Sequence, residues 1–472
     1  MTATTTIANR VCLNRDSRSP AFYTARIFKH SNRSPLPTMN HSDECRDGLE
    51  WDDEGFDLVP RWARQPQLDA VTQVCRRVLK VAPEDHCVVT FHAEGAFNKL
   101  YLVDSSRGKS LLRVSLPVDP GHKTRGEATT LRWIRRNTEV PVPGVIAFDN
   151  SRDNEIGFEW ILMELMPGVP ALSRWRKMSM AGKVSLVEQI ADFQNQLFRR
   201  SVKDTKFHCI GTLTDDNTSE SDICHPKPGR LVSLIFFWGD HFEYDIPRGP
   251  FRSSYDWLSA YLAIIHQEQA DSSQNDDDED NREDAEECLR VAIKLTALLP
   301  TIFPPLERST EPTVLWHDDL SLQNILVDES EPKITAVIDW ECVSCMPLWV
   351  ATEMPKFLLG ATREDEPVRD GYGDASDDTP AFDDLDNEGK TELYWIHMME
   401  YDMTQLRKVY VARMNQLSPL WEKEAEKRSL AVDFLGDVAR CATGYGLKRI
   451  EQWIDAGKDG VYPRLMDVLD PK

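Results

Sequence analysis

The chain has 472 residues, of which 41% are apolar and 13 are tryptophan, and a formal net charge of −23. That length and apolar content suit a folded protein of two or three lobes and exclude a disordered chain. No apolar run approaches the ~20 residues of a membrane helix, and the acidity disfavours nucleic acid, whose phosphates require concentrated basic side chains.

The charge is unevenly placed. Residues 276–287 hold nine acids and one base, and residues 363–388 hold eleven acids and two bases, so these segments carry −8 and −9 of the −23. Both are expected as solvated loops, near 271–287 and 363–388. Ten cysteines without framework spacing read as reduced thiols inside a cell. Cys342 and Cys345 form a Cys-x-x-Cys with no second pair at zinc-finger spacing, which favours two small packed residues over a metal or redox site.

In chain order, residues 1–50 read as a basic, disordered tail. Up to about residue 38, Arg10, Arg15, Arg18, Arg26, Lys29 and Arg33 face a single acid, Asp16. This is the composition of a mitochondrial transit peptide, although Asn9, Asn14, Pro20, Pro35 and Pro37 work against its amphipathic helix. A tail or an extension upstream of Met39 is the other reading, so the compartment is cytoplasmic or mitochondrial. A short amphipathic helix is expected over 66–80, carried by Leu68, Val71, Cys75 and Leu79. Two β-rich runs follow, 87–92 and 99–104, joined by a loop containing Gly95. Such a loop can lay backbone N–H groups over phosphates, or it can be an ordinary hairpin turn.

A third strand covers 110–116 and contains Arg113, and a helix covers 124–136. Glu127, Leu131 and Ile134 share one face of that helix. An acid on an apolar face is costly without a partner, and Arg113 is the natural candidate. Strands at 144–148 and 158–163 complete a five-strand sheet, which ends at the turn Glu164-Leu-Met-Pro-Gly168. From there the pattern is mainly helical, interrupted by an aromatic stretch at 207–250 that either lines a cleft or packs beneath a long loop.

The most informative segment is Val314-Leu-Trp-His-Asp-Asp-Leu-Ser-Leu-Gln-Asn-Ile-Leu-Val-Asp328, followed by Ala336-Val-Ile-Asp-Trp-Glu341. Two short strands, 325–327 and 334–338, folded back on each other bring Asn324 beside Asp339, with Asp319 facing them. Oxygen ligands converging beside a free carboxylate are what metal-assisted phosphoryl transfer needs.

The spacing His317-x-Asp319-Leu-x-x-x-Asn324, then Asp339-Trp-Glu341, resembles the catalytic segment of the protein-kinase-like superfamily, and its ending is most similar to the aminoglycoside phosphotransferase family. The resemblance runs over roughly residues 85–355. It implies an α+β, two-lobed fold: an antiparallel sheet with one helix over 66–168, and a larger helical lobe over 169–472 holding the catalytic hairpin at 314–341. It implies ATP and Mg²⁺ as cofactors. Asp319 would be the catalytic acceptor or orienter of a hydroxyl proton, with Asn324 and Asp339 on the metal. Gly95 and Asn98 would form the phosphate loop, and Arg113 stands where the fold carries a phosphate-binding lysine, with Glu127 as its partner. Glu164 and Met166 would lie at the adenine-reading hinge, and His317 would brace the loop. Asp318 in place of an arginine, and the lack of an Ala-Pro-Glu segment, disfavour protein substrates and point to the hydroxyl of a small molecule. Arg113 and the sparse glycine loop keep a second reading open, a nucleotide-binding scaffold without turnover.

Overall fold

The computed structural model describes residues 46–53, 58–203, 207–215, 226–276, 278–374, 387–457, 460 and 462–469. The basic stretch 1–45 and the acids within 375–386 lie outside the described residues. Residues 46–50, read with the tail, are part of the described fold. Strand β1 (Leu49–Asp53) pairs antiparallel with β2 (Leu58–Trp62). Arg46 donates to the carbonyls of Phe237 at 2.8 Å and Gly239 at 3.0 Å. Trp51 lies 4.9 Å from Trp238, centroid to centroid. These aromatic contacts give the segment something to bury, which composition alone did not show.

Helix α1 (Leu68–Val78) buries Val71, Val74 and Cys75 against a sheet of β3 (Cys87–Glu94), β4 (Asn98–Ser105), β5 (Gly108–Ser115), β6 (Val145–Asp149) and β7 (Glu159–Glu164). The strand order is β3-β4-β5-β7-β6 and each pairing is antiparallel. This is the expected five-strand sheet. Helix α2 (Lys123–Asn137) leads into β6, and Glu127, Leu131 and Ile134 are all buried on it. One hydrophobic cluster crosses residue 168. Leu131, Trp133, Ile134, Val140 and Val142 share one cluster with Leu186, Ile190, Trp316, Ile325 and Trp340.

The chain crosses to its helical half through β8 (Val169–Pro170), which pairs with the catalytic hairpin. Gly168 is required there. Its φ is +105°, and a Cβ would lie 2.3 Å from Thr335 Oγ1 and 2.6 Å from the Val327 carbonyl. Beyond it come α3 (Met180–Lys203), β9 (Gly211–Thr214), β10 (Lys227–Pro228), α4 (Ser254–Asn275) and α5 (Glu279–Ile302). The hairpin strands follow: β11 (Thr313–Trp316), β12 (Ile325–Val327), β13 (Ile334–Val337) and β14 (Ser344–Pro347). Strands β10-β9-β14-β11 form one sheet and β13-β12-β8 another. The long helix α6 (Glu392–Leu417) packs along α3, and further helices run to Leu469. No helix among the described residues is long and apolar enough to cross a membrane.

One expectation changes. Residues 271–287 are mostly helix rather than loop: α4 runs to Asn275, and α5 begins at Glu279 with Asp278 accepting from the Asp280 N–H at 2.9 Å. Acids in a first turn sit at the positive end of the helix dipole, so their density favours that terminus instead of unwinding it. In the described part of 207–250, aromatic packing is what occurs. Phe237 and Trp238 lie 5.6 and 6.2 Å from Phe97 in the glycine loop. Arg248 donates to the carbonyls of Phe236, His241, Phe242 and Tyr244, fixing the turn that carries these rings.

Candidate active site

Strand β11 delivers His317, Asp318 and Asp319 to a tight loop. The Ser321 N–H donates to the Asp319 carbonyl at 2.8 Å, and the Asn324 N–H to the Ser321 carbonyl at 3.1 Å. The Asn324 side chain donates from Nδ2 to the Asp319 carbonyl at 2.8 Å and to its Oδ2 at 3.2 Å. Its main-chain carbonyl accepts from the Ile338 N–H at 2.9 Å. One asparagine therefore ties Asp319 to the residue before Asp339.

Asp339 has φ +65° and Cys342 φ +62°, a left-handed conformation that ordinary residues rarely adopt. The surrounding contacts hold it. His317 Nε2 donates to the Ile338 carbonyl at 3.1 Å, and its ring meets Trp340 edge-on at 4.8 Å. Trp340 Nε1 donates to the Val337 carbonyl at 2.8 Å. Burial lowers the His317 pKa, which suits a neutral ring acting as a brace.

Charge is the dominant feature of the cleft. The carboxylates of Asp318, Asp319, Asp339, Glu341 and Glu127 are set against the cations Arg113, Lys123 and Lys356. Arg113 forms a direct ion pair with Glu127 and lies 3.7 Å from Asp339 Oδ1. Lys123 Nζ lies 2.5 Å from Glu341 Oε2 and donates to Asn98 Oδ1 at 3.0 Å. Lys356 Nζ lies 2.6 Å from Asp319 Oδ1. Burial pushes the Glu341 carboxyl up, but Lys123, Arg113 and the Asn98 amide outweigh it and hold the group at about 2. Enclosure by protein atoms and the neighbouring Glu341 raise Asp339 to about 7 against the pull of Arg113 and Lys123. Its side chain is still 37% open to solvent, which softens the desolvation part of that rise.

The expected residues fall into connected groups. Asp319, Asn324 and Asp339 converge as the hairpin geometry requires, and Arg113 and Glu127 form the strand-to-helix pair. Gly95 turns the β3–β4 hairpin, its N–H donating to the Asn98 carbonyl at 2.9 Å. Asn98 differs from expectation. Its side chain lies beneath the loop, donating to Glu341 at 2.7 Å and accepting from Ser115 at 2.9 Å and from Lys123, so only its main chain can meet a phosphate. Glu164 turns its carboxylate outward to Arg135 at 2.7 Å, which leaves its main chain for any contact at the hinge. Met166 is half-buried just before Gly168.

Lys123, Glu341 and Lys356 were not anticipated. Lys123 lies one helical turn before Glu127 on the buried face, a signal that helical spacing carries. Glu341 closes the quoted Asp-Trp-Glu. Lys356 has no local signal, because only the fold brings it to Asp319.

The donor set suits a hard dication. Carboxylate and amide oxygens are the right ligand chemistry, negative side chains outnumber positive ones, and Asp339 is a carboxylate short of counter-charge. Among the described residues no three His, Cys, Asp or Glu side chains form a ready metal cage. Mg²⁺ commonly takes only one or two protein carboxylates and completes its shell with phosphate and water.

Residues 88–383 match the model of the phosphotransferase enzyme family. A subtelomeric hrmA-associated cluster protein of Aspergillus fumigatus is 27% identical over 318 residues, 58% of this chain and 61% of the relative. A clavilactone A biosynthesis cluster protein of Ampulloclitocybe clavipes is 27% identical over 243 residues, 50% of this chain and 53% of the relative. The matches thus span under two thirds of these relatives' length. Among solved structures, aminoglycoside phosphotransferase APH(4)-Ia aligns with a TM-score of 0.39 at 14% identity, covering 83% of this chain and 99% of that one. The family match takes in the sheet, the hinge and the whole catalytic hairpin, and the chain belongs to the phosphotransferase enzyme family.

Proposed function

We propose that this protein transfers the γ-phosphoryl group of ATP to a hydroxyl of a small molecule. The observation that carries the reading is the fixed relation of Asp319, Asn324 and Asp339, set by the Asn324 bonds to Asp319 and Ile338. Asn324 Oδ1 and the Asp339 carboxylate would hold Mg²⁺, which would supply positive charge to offset that of the phosphates. Asp319 orients the acceptor hydroxyl and takes its proton as the acceptor oxygen bonds to the γ-phosphorus. The bond from that phosphorus to the bridging oxygen breaks, and its electron pair leaves with ADP. Arg113, anchored by Glu127, steers the phosphates from above, while the Gly95 turn allows main-chain N–H groups to approach them. The hinge at Glu164 and Met166 offers main-chain groups to the purine.

The test is a thermal-shift assay with Mg-ATP, followed by a label-transfer screen with γ-labelled ATP against a panel of hydroxyl metabolites. The wild type is expected to be stabilised by Mg-ATP and to label at least one acceptor. Asp339→Ala should lose the stabilisation. Asp319→Asn should keep it and lose transfer by about 10²-fold or more. No stabilisation by Mg-ATP or Mn-ATP would refute the reading. Stabilisation without transfer across the panel would favour a nucleotide-binding scaffold, the role suggested by an Arg113 already shared between two carboxylates.

A further inference from the structure

Between Asp319 and Asn324 the catalytic loop offers Leu320, Ser321, Leu322 and Gln323, none of them a cation. Phosphoryl transfer develops charge over three equatorial oxygens and is accelerated almost entirely by positioning and opposing positive charge. On the nucleotide side, Arg113 is shared between Glu127 and Asp339, and Lys123 is committed to Glu341 and Asn98. The acceptor side draws its cation from a different part of the chain. Lys356 Nζ lies 2.6 Å from Asp319 Oδ1 as an ion pair, while Asn324 Nδ2 donates to Oδ2 at 3.2 Å, so the ammonium and the amide address different carboxylate oxygens.

The mounting of Lys356 separates it from a chance surface ion pair, which contributes little and holds no fixed geometry. Lys356 begins a short 3₁₀ turn, Lys356–Leu358, entered through Pro355. The Phe357 N–H donates to the carbonyl of Leu320, the residue after Asp319, at 3.2 Å. Leu358 is fully buried, and Phe357 meets Trp175 edge-on at 6.4 Å. Arg407 on α6 ties down the far side, donating to the carbonyls of Leu358 at 3.0 Å, Gly360 at 3.1 Å and Ala361 at 2.9 Å. The ammonium is therefore carried on backbone that is bonded to the catalytic loop itself, and its side chain is 36% exposed.

We propose that Lys356 is a catalytic residue, the acceptor-side cation that contacts the phosphoryl group in flight. At rest it pairs with Asp319. As the acceptor oxygen bonds to phosphorus and its proton passes to Asp319, that carboxylate loses its negative charge, and the ammonium remains protonated and turns to the equatorial phosphoryl oxygens. No proton or electron leaves Lys356, so the balance of the step is that of the transfer described above. The proposal rests on the phosphoryl-transfer reading and adds a residue to it.

The experiment compares full-length wild type with Lys356→Met, Lys356→Gln and Lys356→Arg. The readouts are the Mg-ATP thermal shift, and kcat and KM for ATP on an acceptor labelled by the wild type. Loss of one such stabilising donor is expected to lower kcat about 10²- to 10³-fold in Lys356→Met and Lys356→Gln. KM for ATP and the Mg-ATP shift should stay near wild type, because the contact forms only in the transition state. Lys356→Arg should recover most of kcat, which a purely structural role would not require. If both neutral variants keep kcat within about threefold, or if the Mg-ATP shift falls along with kcat, the assignment is overturned while the phosphotransferase reading stands. If the wild type itself binds Mg-ATP and labels nothing, or binds none, that reading fails and takes the assignment with it.

Discussion

Asp339 shows how single residues are held in costly states here. A left-handed aspartate is sustained by a histidine brace on one side and a tryptophan anchor on the other, and its carboxylate is lifted to about 7 by enclosure and by Glu341. Such strain is retained where the surroundings over-determine it, commonly at functional sites. Glu341 is the opposite case, held at about 2 by Lys123, Arg113 and Asn98 despite its burial. Lys123 is only 2% exposed and Glu341 15%, so removing one charge strands the other. Lys123→Met is expected to destabilise the protein by about 3–5 kcal/mol, and Lys123→Met combined with Glu341→Gln by clearly less. Urea unfolding of the wild type, the single variant and the pair measures this. Equal losses in the single and double variants would contradict the pairing.

At the scale of elements, a glycine lets α2 approach its neighbour closely. A Cβ on Gly126 would lie 2.5 Å from Thr212 Cγ2, so the helix lies directly against β9. That contact sets the height of Lys123 and Glu127 over the cleft. Alanine normally improves a helix interior over glycine by about 0.5–1 kcal/mol. Here Gly126→Ala is expected to cost about 1–3 kcal/mol through overpacking. Thr212→Ser removes Cγ2 and keeps the hydroxyl that bonds Ser344 at 2.7 Å and accepts from the Val232 N–H at 2.9 Å. In that background Gly126→Ala should become neutral or stabilising, and a double-mutant cycle by thermal unfolding reads the coupling. The same scale explains the acidic run after Asn275, where side chains that look suited to a loop cap and begin α5.

Across the whole molecule, the sheet keeps a cluster of its own with α1, while α2 joins the core of the helical half. Residues of α2 and of the segment following it pack in one cluster with α3, the catalytic hairpin and α6. Other links cross as well: Arg230 pairs with fully buried Asp119 at 3.1 Å, and Phe97 packs on Phe237 and Trp238. A cluster and contacts that span both halves predict cooperative loss of structure. Tryptophan fluorescence and far-UV circular dichroism should give coincident thermal transitions, and a calorimetric scan a single peak. Two resolved transitions would show that the halves are independent.

The amino-acid sequence by itself determined the parts whose constraints are local. The strands of the sheet followed from β-rich runs between turn residues. The buried face of α2 followed from helical spacing, and the convergence of Asp319, Asn324 and Asp339 from two short strands folded on each other. Even the Arg113–Glu127 pair was legible, because an acid on an apolar helix face demands a partner. Only the tertiary structure decided the contacts between distant segments. It brought Lys356 to Asp319 and turned the Asn98 side chain down toward Glu341 and Lys123. It also set the aromatic rings of 237–238 against the glycine loop. Period and spacing report which face a side chain takes on its own element. Which segment lies opposite that face is settled by the packing of the core, and no local pattern encodes it.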